Sequence, residues 1–190
     1  MQTHRLTWLA LLLGLVALLA GAGPRVEQAS AAGPCNKWGD KTSNEITKGH
    51  ARKAVLCLLN RERNSRGLSK LDRDRNLQRA SQRHNDYMQN HNCFSHQCSG
   101  EASLTKRLKN AGWLTGGLKR WAYGENIASG SGNRGTPKSI VNSWMNSSGH
   151  RANILSGTFD EVGVGYSKGT ISSKSANGAV MTTDFGYKDG

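Results

Sequence analysis

The sequence predicts an α+β domain built in layers, with helices covering one face of a sheet. Three observations predict it. Apolar residues recur at helical spacing in successive segments of the first part of the chain. The period then changes to alternation near the C-terminus, in VGVGYS and AVMTTDFGY. Between those two lies SKGTISSKSANGA, a polar turn region, so the pair forms an antiparallel hairpin with a longish loop. Helices first and strands last place the helices over the sheet. No internal repeat or coiled-coil pattern is present.

Taken in order, residues 1–31 are expected to be an export signal. Arg5 supplies the positive start, Trp8 to Ala20 the apolar run, and Ala29-Ser30-Ala31 a small-x-small cleavage site. That run is short for a bilayer span and no second one follows, so no membrane anchor is expected. Residues 32–49 are polar and turn-rich, an arm expected to be extended and tied down by Cys35. Residues 50–190 form the domain proper, enough chain for one core.

Within that domain, Ala51, Ala54, Val55, Leu58, Leu59 and Glu62 lie on one helix face, and Arg66-Gly67 stops the helix. A second helix is expected from Asp72 or Asp74 to Asn90, with Leu77, Ala80, His84, Tyr87, Met88 and His91 on its stripe. The acidic residues at its start suit the helix dipole. CFSHQCSG is a short segment pinched by its cysteines. Ser103 caps a helix through Ala111 that buries Leu104, Leu108 and Ala111, and Gly112 ends it. GWLTGGLKRW reads as loop, WAYGENIA as strand, and SGSGNRG as a flexible connection. Thr136-Pro137 starts a helix with Ile140, Val141 and Trp144 inward. Ser148 is expected to cap a short helix carrying His150 to Leu155.

The formal charge is +13, and loss of Arg5, Arg25 and Glu27 with the signal leaves it strongly positive. A basic exported protein adheres to anionic material such as cell-wall polymers or acidic lipid headgroups. The charges of DRDRNLQRASQR and KRLKN are spread over helical faces, which reads as a solvated surface and not as a dedicated nucleic-acid groove. No nucleic-acid motif is present. Four cysteines in an oxidising compartment imply two disulfides. Of the three pairings, Cys35–Cys57 with Cys93–Cys98 needs the least long-range geometry. No CxxC pair points to a cysteine zinc site.

The ordered set CLLNRERNSRGLSKL, FSH, SLTKRLKNAGW, YGENIA, SIVNSWMNSSGHRANIL, FDEVGVGY and MTTDFG resembles bacterial SCP-like members of the CAP superfamily. That superfamily comprises the cysteine-rich secretory proteins, antigen 5 and pathogenesis-related class 1 proteins. The resemblance is collinear from about Ala51 to Gly186. It implies a three-layer α-β-α sandwich with a mainly antiparallel central sheet and a solvent-facing cleft. In that family two histidines and two glutamates line the cleft and often bind a divalent cation. The matching positions are His96 of FSH, Glu125 of GEN and His150 of SGHRANIL. The second glutamate falls on Ser147, so the resemblance implies a three-ligand set for a cation such as zinc. Ser95, Asn126 and Ser147 are expected to line the same cleft.

On residue type alone, His84 in the apolar stripe of the second helix reads as a hydrogen-bonded core histidine. His50 and His91 flank helix ends, where they complement the helix dipoles or face water. Trp113, Trp121 and Trp144 occupy core-compatible places, with sugar or lipid stacking as a second role for Trp113 or Trp121. Glu125 between Gly124 and Asn126 lines the cleft, with Asn126 as a hydrogen-bond anchor. Ser95 or Ser147 could be drawn with His150 and Glu125 as a Ser-His-acid set, but no G-x-S-x-G elbow is present. A metal-bound hydroxide would leave no second acid as base once Glu125 is a ligand. Asn146-Ser147-Ser148 is a glycosylation sequon at a helix end. The expected protein is a secreted, monomeric, non-enzymatic CAP module. It would bind a divalent cation and a lipid or anionic cell-envelope component. The rival is a secreted metal-dependent or serine-type hydrolase using the same cleft.

Overall fold

The computed structural model describes residues 33–174 and 176–190. The expected export signal lies outside these residues. The helices are α1 (Pro34–Trp38), α2 (Lys48–Asn64), α3 (Arg75–Asn90), α4 (Leu104–Asn110), α5 (Pro137–Met145) and α6 (Ser148–Ile154), with a 3-10 turn at Gly132–Gly135. The strands are β1 (Asp72–Arg73), β2 (Arg120–Ser131), β3 (Glu161–Lys168) and β4 (Gly178–Asp189), ordered β1-β3-β4-β2. Both β3 and β2 pair antiparallel with β4, and β1 adds a short parallel edge to β3. The sheet is therefore mixed, with its long pairings antiparallel.

Alternation along the strands sorts side chains into two layers. On β3, Val162, Val164 and Tyr166 join the core formed with Ala51, Val55, Leu58 and Leu59 of α2 and Ile140, Val141 and Trp144 of α5. The intervening Gly163 and Gly165 face α3. A Cβ on Gly163 would lie 2.0 Å from the Gln78 amide nitrogen, and one on Gly165 would lie 2.6 Å from Ser81 backbone atoms. The glycines of VGVGY thus let α3 rest directly on strand backbone. Ser81 exploits that approach: its hydroxyl oxygen lies within hydrogen-bond distance of the Leu77 carbonyl (3.0 Å), the Gly163 carbonyl (3.2 Å) and Asp184 of β4 (2.9 Å). Asn85 likewise donates to the Val180 carbonyl and accepts from Thr182. The result is α2, α5 and α6 on one face, α3 and α4 on the other.

Arg63, at the end of α2, is 1% exposed although charged. Its guanidinium donates to four carbonyls: Ser69 at 2.8 Å, Ile154 at 2.9 Å, Ser156 at 2.8 Å and Phe159 at 3.0 Å. It ties the C-terminal ends of α2 and α6 to the entry of β3.

Most expected elements are present, with local corrections. The second helix starts at Arg75, where Asp74 accepts from the Asn76 and Leu77 amides as N-cap. Residues 34–38 are helical and not extended, with Pro34 at the first turn, where its missing N–H costs nothing. The expected flexible SGS segment continues β2 to Ser131, because β4 is long enough to pair with it as far as Gly178. Ser147, not Ser148, occupies the N-cap position of α6. Both disulfides have the expected partners, Cys35–Cys57 and Cys93–Cys98. Trp113 and Trp144 are buried, whereas Trp121 is 48% exposed and stacks on Tyr123 with ring centroids 5.5 Å apart. Trp121 is therefore corrected from a core to a surface residue.

Candidate functional site

The site is built on β2, the strand at one edge of the sheet. Successive residues there point to opposite layers, so Glu125 faces α3 and α4 while Asn126 faces α6. The loop after α3, closed by Cys93–Cys98, brings His96 over Glu125. His96 Nδ1 lies 2.8 Å from Glu125 Oε1, with the imidazole 58% exposed and the carboxylate 2% exposed. On the other layer, Asn126 donates to the His150 carbonyl at 3.0 Å and accepts from Asn153 at 2.9 Å. Asn153 also donates to the Glu125 carbonyl, and the Trp144 indole donates to the Ile127 carbonyl. These two side chains satisfy outward carbonyls of an edge strand that would otherwise meet only water.

Beneath His96 lies a buried charge network. Arg107 of α4 donates to Glu125 Oε2 at 2.8 Å, to Oε1 at 3.2 Å, and to the His96 carbonyl at 2.8 Å. His84 of α3 bonds Glu101 through Nδ1 at 2.7 Å, and its Nε2 lies 3.8 Å from Glu125. Burial works against ionisation of Glu125, but hydrogen bonds from His96 and Arg107 outweigh it and hold the pKa at about 2. Burial pushes the His84 pKa down. Asp184, fully buried nearby, is pushed well above its ordinary range by burial and by the charge of Glu125. His150 is lowered by partial burial and then by the charge of His96, which places the two imidazoles within electrostatic reach of each other.

His96 and Glu125 are thus in direct contact, whereas His150 is tied to the same strand only by its backbone carbonyl, through Asn126. Ser147 holds the N-cap position of α6, three residues before His150, without a side-chain capping hydrogen bond. Ser95 turns away, its hydroxyl donating to the Gln97 carbonyl. His84 is the hydrogen-bonded core histidine that its position in the stripe suggested. His50 stacks on Trp38, and His91 stacks on Tyr87. Among the described residues, no three His, Cys, Asp or Glu side chains are grouped so as to hold a metal ion. Glu125 already engages His96 and Arg107, so the donor set does not fit a cation held by all three expected ligands.

Sequence reasoning missed Arg107, Glu101 and Asp184. Arg107 carried a signal: Leu104, Arg107, Leu108 and Ala111 follow the i, i+3, i+4, i+7 spacing of a buried stripe. A charge inside such a stripe needs a buried partner.

An α-β-α sandwich around a mixed four-stranded sheet is the architecture of a CAP-type domain. Residues 56–183 match the CAP family, described as the cysteine-rich secretory protein family, and the chain belongs to it. It is 35% identical over 136 residues to the uncharacterized protein YkwD of Bacillus subtilis, covering 72% of this chain and 50% of that protein. It is 33% identical over 116 residues to the uncharacterized membrane protein YlbC of the same organism, covering 61% of this chain and 31% of that protein. The chain thus spans half or less of these relatives' length. Among solved structures it resembles an outer surface protein of Borrelia burgdorferi, with TM-score 0.62 and 18% identity. That match covers 79% of this chain and 99% of the other. It also resembles an extracellular SCP-domain protein of Bacillus anthracis, with TM-score 0.56 and 25% identity, covering 75% and 44%. The chain is a bacterial-type member of the superfamily. No described helix is long and apolar enough to cross a membrane.

Proposed function

We propose that the protein is a secreted, non-enzymatic binding module whose cleft presents His96 and His150 to a divalent cation and to a lipid or cell-envelope component. The observation that carries this reading is the ion pair beneath His96. A carboxylate with a pKa of about 2 is a poor proton acceptor at neutral pH. Glu125 therefore serves to orient His96. By bonding Nδ1 it leaves Nε2 directed away from the pair, the arrangement in which a carboxylate sets the tautomer of a metal-binding imidazole. Two imidazoles with a carboxylate behind one of them bind zinc weakly. Secretion is supported by the two disulfides, which suit an oxidising compartment.

The feature favouring a hydrolase is the Glu125–His96 pair itself, which resembles the acid–histidine half of a catalytic triad. Against it, no described hydroxyl hydrogen-bonds to either imidazole, and the nearby Ser95 points elsewhere.

Calorimetric titration of the metal-stripped protein with Zn²⁺ tests the reading, alongside a His96→Ala/His150→Ala variant. Binding by the parent and none by the variant is the expected result, with no metal-dependent ester hydrolysis by either. No binding by either protein, or turnover that zinc restores, would sink it. In the same titration a Cys93→Ser/Cys98→Ser variant is expected to bind more weakly, because the small disulfide loop positions His96. Unchanged affinity would refute that role of the loop.

A further inference from the structure

The arginines of DRDRNLQRASQR do not disperse over a solvated surface. Arg52 of α2, Arg73 of β1, and Arg75, Arg79 and Arg83 of α3 line one groove of about 470 Å³. The adjoining hollow between α2 and β3 adds Lys53. No Asp or Glu lines either space, and among the described residues none of the five arginines forms an ion pair. Asp72 precedes Arg73 on β1 but lies outside both linings, and two further acids nearby are engaged elsewhere. Asp74 caps α3, and Asp86 accepts from Gln82 and Ser167 while attracting Arg52 electrostatically.

Three of the guanidiniums are fixed by the protein. Arg52 donates to Gln82, Arg79 to the Ala111 carbonyl and Arg83 to the Asn110 carbonyl. Arg73 and Arg75 are exposed and make no side-chain hydrogen bond among the described residues. Like charges gathered in a concave space raise the local potential and favour a polyanion. The planar guanidinium fork matches phosphate oxygens. The lining has no aromatic side chain on which a nucleic-acid base could stack. It also lacks an exposed apolar residue to enter a bilayer, since the exposed large hydrophobics, Phe94 and Trp121, belong to other segments.

We propose that the α2–β1–α3 groove is a binding site for an extended polyol-phosphate chain, gripped through its phosphodiesters by Arg52, Arg73, Arg75 and Arg79. The site is independent of His96 and His150.

The test is a titration of the full chain with poly(glycerol phosphate) oligomers at 50 and 200 mM salt. Parallel arms use single-stranded DNA of equal phosphate number and phosphatidylglycerol vesicles. Each phosphate contact contributes about 0.7 to the slope of log affinity against log salt on a flexible strand. Arg73→Gln/Arg75→Gln should therefore reduce the slope by about 1.4 and weaken binding roughly tenfold at the lower salt. The control Arg61→Gln/Lys106→Gln removes the same charge elsewhere on the exposed surface and should change affinity less than about twofold. Equal losses in both variants would mean bulk charge attraction and overturn the proposal. So would tighter binding to DNA or to vesicles than to the polymer. Metal binding at the cleft should be the same in all three proteins.

Discussion

Replacing Arg63 by methionine should lower stability by about 3–5 kcal/mol, since it leaves four buried or half-buried carbonyls without their donor. For a domain of this length that corresponds to a fall in melting temperature of roughly 6–20 °C. Methionine matches the aliphatic stem, so lost packing contributes little and the deficit belongs to the hydrogen bonds. Arg63→Lys keeps the charge but not the fork, and should fall between. The same change frees the C-terminal end of α6, so the His150 ring resonance should shift while that of His84 stays. A methionine variant that melts within 2 °C of the parent, a margin of about 1 kcal/mol or less, would show that water satisfies those carbonyls.

Arg107→Met is the second large effect. It strands Glu125 in a buried place without its cation, and breaking a buried pair from one side costs about 3–5 kcal/mol. The double variant Arg107→Met/Glu125→Gln removes both charges and should recover much of the loss. The pH dependence separates the two cases. In the parent, Glu125 has its folded pKa lowered from 4.5 to about 2. Its contribution is present above pH 4.5 and fades as pH falls toward 2. Asp184 runs the other way: its raised pKa supplies stability at low pH that is lost as pH rises above 3.8. Without Arg107, burial of Glu125 is opposed only by the His96 hydrogen bond and the attraction of His84, so its pKa should rise from the parent's value. The single variant should then gain less stability than the parent as pH rises from about 2 to 4.5. Denaturant midpoints at acid and neutral pH read this directly. Parallel curves for parent and variant would refute the pairing.

Wherever one residue type and one period decide an element, the chain could be read directly. The C-terminal hairpin follows from alternation, the start of α3 from Asp74, and the core place of His84 from its stripe. The site was harder because its parts come from six segments of chain. FSH and GEN carried no spacing that brings His96 onto Glu125; the family resemblance supplied that pair. Arg107 was read as solvated because KRLKN looks basic, although its stripe position said otherwise. The two-residue β1 is too short for any period. The arginine groove escaped because Arg52 lies one helix away from the others, and convergence of side chains from α2 and α3 is a property of packing. Trp121 illustrates the opposite error, since a large apolar residue on an edge strand is not thereby inside.

Glu125 and Asn126 are neighbours in the chain yet serve opposite sides of the sheet, one fixing His96 and the other the backbone of His150. The spatial relation between the two imidazoles is therefore encoded in strand register. Slipping β2 by one residue against β4 would exchange the two side chains, carrying an amide into the charge network and a carboxylate under α6. Chain-length changes should thus be tolerated very unequally. An added residue in the 114–118 loop leaves the pairing of Glu125 with Asp184 untouched. The same addition between Glu125 and Ser131 forces either a bulge or a slip, and so acts from a distance on how His96 and His150 are placed.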